Sequence, residues 1–147
     1  MYPHYFRVNG WEPIMTVLQE SLNAEEMVCA ISSELFHIPQ TKNLEGNNEM
    51  HSHLVPASYH RVTAVGSAVR LVNGEQQQTI ITTMVTCIIN AEKQDKQVRE
   101  GLTVMEENAS PEFKPVIQII IQWQDQAEAY LLQAKEALQS MGVSFPS

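Results

Sequence analysis

An all-α fold is predicted, a helical bundle built on a long antiparallel helical hairpin, and three observations predict it. Residues Gln77, Ile81, Met84, Ile88, Ala91, Asp95, Val98, Leu102 and Met105 recur at steps of four and three. So do Phe113, Ile117, Ile120, Gln124, Ala127, Leu131, Ala134, Leu138 and Met141. If the chain folds back at 108–111, the stripes oppose in order, and their interior polar members, Asp95 and Gln124, fall in one layer. Such spacing is the seam of a coiled-coil-like helix pair.

The first ten residues are aromatic and turn-rich, and a short strand or extended arm is expected at 5–8. From Trp11, the residues Ile14, Leu18 and Leu22 fall at helical intervals, predicting a first helix over 11–22. Asn23 followed by Glu26 reads as a cap and its answering acid, opening a second helix with Val28, Ile31, Leu35 and Ile38 on one side. Pro39 stops it. Residues 39–56 are polar without periodicity and are expected to be a long loop, a feature that compact domains usually reserve for function.

Over 57–90 two structures compete. Val62, Val65, Val69 and Val72 fall at helical steps, and Asn73-Gly74 can end a helix. Yet 79–89 is rich in Thr, Ile and Val, which favour strands, and Asn-Gly is also a two-residue hairpin turn. The alternative is therefore an α+β fold with a β-hairpin near 61–89. The matched seam favours helix from Ile81 onward. Pro111 then stands where a first helical position should be, and Gly142 ends the last helix.

The 147 residues are expected to form a single domain, with short helices and a polar loop over 1–56 and the helical hairpin region over 57–147. Apolar residues make up 44% of the chain, enough for a core. A net charge of −8 repels phosphate backbones and anionic lipid, so no nucleic-acid or membrane partner is expected. No apolar run approaches the ~20 residues of a membrane span, and no secretory leader is seen. Cys29 and Cys87 lie in apolar runs and read as reduced, buried thiols, which fits a cytoplasmic protein.

Chemistry is sparse. There is no Gly-x-Ser-x-Gly, no phosphate-binding Gly-rich loop and no Cys-x-x-Cys, so no catalytic residue, enzyme activity or cofactor is expected. His51 and His53, in the expected loop, are the one candidate metal pair. His60 and Arg61 could wall a small-ligand or metal-binding module together with that His-rich 39–60 segment. Apolar side chains beyond those the seam uses, Ile119, Trp123 and Tyr130 above all, suggest a surface for a protein partner or for self-association. The expectation is a non-enzymatic interaction protein, an adaptor or chaperone in kind.

Overall fold

A computed structural model describes the backbone of residues 2–75 and 77–146, with side chains from residue 10 onward. Its elements are α1 (Tyr2–Glu34), a single 3-10 turn (Leu35–His37), α2 (Asn47–Val72), α3 (Gln78–Asn108) and α4 (Lys114–Ser140). Each helix touches the next in sequence, and α4 closes the ring on α1; the diagonal pairs do not meet among the described residues. The result is an all-α four-helix bundle. No strand occurs among the described residues.

The β-hairpin alternative is thus corrected. Residues 61–72 form the second half of α2, and 78–89 the first part of α3. β-branched residues cost a helix only a few tenths of a kcal/mol each, a preference that burial of one face overrides. Ile80, Met84, Val85 and Ile88 supply that face. Gly74, at φ 97°, reverses the chain between the two helices without forming a strand pair.

Four other boundaries move. The extended arm at 5–8 and the break at Asn23 give way to one continuous helix, α1, which also runs through Pro13. Asn23 caps nothing; it is exposed in mid-helix and accepts a hydrogen bond from Gln19 Nε2 at 3.0 Å. The apolar stripe falters there because Ser21 and Glu25 occupy core positions. The expected 39–56 loop shrinks, since α2 begins at Asn47 after Gly46, which holds φ 96°. Glu49 in the first turn suits the positive end of the helix dipole. Pro115, not Pro111, sits in the first turn of α4.

Residues Ile117, Ile120, Gln124, Ala127, Leu131, Ala134 and Leu138 are all buried on α4, as are Met84, Ile88, Ala91, Asp95, Val98, Leu102 and Met105 on α3. The core comes in two halves. One gathers Trp11, Leu18, Leu71, Met84, Ile88 and Leu138; the other gathers Val28, Met50, Leu54, Leu102, Met105 and Ile117. The N-terminal part of α3 thus shares a half with the C-terminal part of α4, which makes the pair antiparallel.

The most extensive helix contact in the bundle is between α2 and α3. Gly101 makes it possible, because a Cβ there would stand 2.7 Å from Met50 Cβ and 3.0 Å from Met50 Cα. By contrast, α3 and α4 make the least extensive contact of the neighbouring pairs. Ion pairs of Arg99 with Asp125 and Glu128, and of Lys135 with Glu92, span their flank. The chain end folds back over the gap: Phe145 lies under Lys135 Nζ at 5.6 Å, and Pro146 lines the cleft with Ile89.

Candidate protein-interaction face

Between the core halves lies a polar layer to which all four helices contribute: Ser21 and Glu25, Arg61, Asp95 and Gln124, every one buried. The Arg61 guanidinium donates to both Asp95 oxygens at 2.8 and 2.7 Å, to Glu25 Oε2 from Nη1, and to Ser21 Oγ at 2.8 Å from Nε. Ser21 Oγ in turn donates to the Ala127 carbonyl of α4 at 2.7 Å. Gln124 lies at the same level without a hydrogen bond to these groups; its Nε2 donates outward to Glu128 at 2.9 Å, which pairs with Arg99 on the flank. Burial pushes the Glu25 carboxyl up to about 7; Arg61 pulls against that rise and the Asp95 charge adds to it. Burial pulls Arg61 down, but the two carboxylates more than reverse it and hold the guanidinium above its ordinary value. With Glu25 protonated the layer carries one cation and one anion. Glu25 borders a groove between α1 and α2, and Asp95 borders the cleft between α3 and α4, but both side chains are almost wholly covered, and a paired polar layer of this kind fixes helix register.

Arg61 is therefore a core residue, not the wall of a ligand site. His51 and His53 lie on α2 instead of in a loop, and they leave it in different directions. His51 Nε2 bonds Ser32 Oγ of α1 at 2.9 Å, and burial lowers its imidazole below the usual value. His53 Nδ1 donates to Gln94 Oε1 of α3 at 2.8 Å. Two imidazoles facing opposite neighbours do not share an ion, and no group of three candidate metal ligands occurs among the described residues. His60 is half-buried beside the exposed Tyr59 ring, 5.5 Å between centroids.

On α4, Ile119 is exposed, while Trp123 is half-buried against the second core half. Tyr130 stands beside Glu20 of α1, whose carboxylate raises the phenol. Asp125 and Glu128 intervene between these side chains, so the apolar surface of α4 is broken by charge.

The longer apolar surface is on α2. Val55, Tyr59, Val62 and Val69 are 70, 66, 53 and 38% exposed. With Gly66 they recur at steps of four, three, four and three, placing them along one outer line of the helix. From Met50 to Val69 the helix contains no Lys, Asp or Glu, and its one Arg is the buried Arg61. At its α1 edge the line borders a groove of about 430 Å³ lined by Glu26, Cys29, Ala30, His51, Leu54 and Val55. Cys29, expected inside, is exposed there; Cys87 is buried, and both thiols are free.

Two further clefts have different character. The α3–α4 cleft, about 760 Å³, is lined by charged side chains largely committed to ion pairs. Another, of about 570 Å³, lies between α3 and the chain end. No helix among the described residues is long and apolar enough to cross a membrane. Comparison of the chain with protein-family models, curated proteins and solved structures returned no match.

The sequence pattern predicts leftover apolar surface on α4, whereas the longer exposed line lies on α2. The signal was present: Val55, Tyr59, Val62, Gly66 and Val69 keep the same four-three spacing as the seam, within a stretch free of exposed charge. It was hidden by assigning 39–56 to a loop, which removed Val55 from the helix, and by the β-hairpin alternative, which divided the rest.

Proposed function

We propose that this is a non-enzymatic helical protein whose work is docking to protein, and that the outer face of α2 is its docking surface. One observation carries the reading: the most exposed large apolar side chains among the described residues, Val55 and Tyr59, begin an uncharged line on the outside of a protein of net charge −8. Isolated exposed valines are ordinary, but a charge-free row at seam spacing is what an amphipathic helix presents to another helix. Tyr59 supplies the large amphipathic side chain on which interface energetics commonly rest. The rigid bundle beneath, pinned by the Arg61 layer, holds the face in one shape and so reduces the ordering cost of binding. A reducing, cytoplasmic setting suits the exposed free thiol of Cys29.

The test is site-specific photocrosslinking in cells of the native source. A benzophenone side chain in place of Tyr59 is expected to give a discrete protein adduct, and the same group at exposed Gln126 on α4 is expected to give none. Equal labelling from the two positions, or none from Tyr59, sinks the reading.

A further inference from the structure

We infer that the partner seated on α2 is a second copy of this chain, its α2 antiparallel to the first about a two-fold axis at Val62. The inference rests on the docking reading above and gives it an occupant.

The outer line of α2 is self-complementary in size. An axis at Val62 sets Val62 against itself, Val55 against Val69 of the second copy, and Tyr59 against Gly66 of the second copy. The one large side chain of the line thus meets the one position without a side chain. Nothing lies within 4 Å of a Cβ built on Gly66, so the space that the phenol ring would enter is open. Two-fold contacts must be self-complementary in this way. Moving the pairing by one step sets Tyr59 against Val62 or Val69 and leaves Gly66 facing a valine. A parallel arrangement sets Tyr59 on Tyr59 and leaves a hole between glycines. Only the antiparallel register about Val62 fills the line evenly.

Charge selects the same occupant. Two molecules of net charge −8 repel over most of their surfaces. They meet at least cost where neither bears charge, and α2 between Met50 and Val69 is such a surface. Its one exposed basic neighbour, Arg70, is already paired with Glu75 at 2.8 Å. A basic protein partner would be drawn instead to the acidic faces. The line from Val55 to Val69 spans roughly 21 Å, a short contact, so an exchanging dimer with a micromolar dissociation constant is expected.

Sedimentation equilibrium and cysteine trapping on the 147-residue chain test this, in a Cys29→Ser background. The chain is expected to sediment as a dimer, with Val62→Glu raising the dissociation constant at least 100-fold while the helical circular dichroism signal is kept. Raising salt from 0.05 to 0.5 M is expected to strengthen the dimer, whereas a contact driven by opposite charges would weaken. Val62→Cys is expected to form an intermolecular disulfide on oxidation. Val55→Cys alone is not, but Val55→Cys mixed with Val69→Cys is. Self-linking of Val55→Cys as fast as Val62→Cys overturns the antiparallel register. A dimer untouched by Val62→Glu overturns the face, and with it the docking reading. A chain that stays monomeric at all concentrations while Tyr59 crosslinks a different protein overturns the second-copy inference alone.

Discussion

Arg61 shows how one side chain can govern a fold while contributing little net stability. A guanidinium shared by Asp95, Glu25 and Ser21 replaces most of the water it gives up, and burial cancels much of the attraction gained. Removing it alone is another matter, because two buried carboxyls lose their counter-ion. Arg61→Ala is expected to lower the free energy of unfolding by about 3–5 kcal/mol in urea titration. Glu25 gives the layer a pH dependence of defined sign. Its carboxyl sits at about 7 in the folded chain against 4.5 ordinarily. Below 4.5 it is neutral folded and unfolded; between 4.5 and about 7 only the unfolded chain releases the proton. Stability should therefore decline as pH rises through that window, by at most about 1.4 kcal/mol per pH unit, and level off above it. Glu25→Gln removes the titration while keeping an oxygen for Arg61. Urea midpoints between pH 4.5 and 8 should then differ in slope between the two proteins, the native chain falling more steeply. Parallel slopes would mean the carboxyl is ionised throughout.

Among the helices, what could be read from the sequence depended on whether the buried face was apolar. The α4 stripe from Ile117 to Leu138 was legible residue by residue because only Gln124 interrupts it. α1 was divided into two because Ser21 and Glu25 look like a surface break, and nothing local announces that Arg61, 40 residues beyond Ser21 and 36 beyond Glu25, will bond both. The first turns of α2 were lost for a related reason: Asn47, His51 and His53 are polar yet find partners on α1 and α3. Glycines were equally silent. Gly66 and Gly101 both sit inside helices, but one faces open space and the other the backbone of α2. Gly101→Ala is expected to destabilise by about 1–3 kcal/mol, since Met50 Cα at 3.0 Å cannot move without the helix. Gly66→Ala is expected to do the opposite in the isolated subunit, gaining about 0.5–1 kcal/mol from reduced backbone freedom. Thermal melts of both variants in dilute solution check the pair. If the two shift alike, the close α2–α3 approach is not where Gly101 places it.

At the scale of the molecule, the polar layer is expected to select one bundle among several. Each core half offers apolar stripes that would pack tolerably in neighbouring registers, one turn up or down. Sliding any helix by a turn carries Glu25, Arg61, Asp95 or Gln124 into an apolar layer, where an unpaired charge or amide costs several kcal/mol. The layer thus fixes the height of all four helices together, and with it the line on α2, whose use depends on an undistorted helix. Replacing the layer at once, with Glu25→Leu, Arg61→Met and Asp95→Leu, should therefore separate stability from uniqueness. The triple variant is expected to resist urea as well as the native chain, or better by about 1–4 kcal/mol. Its amide spectrum is expected to broaden as alternative registers exchange, and its α2-dependent association should weaken although no residue of the outer line has changed. A triple variant with sharp, fully dispersed resonances and undiminished association would show that apolar packing alone sets the register, leaving the buried ion pairs without that role.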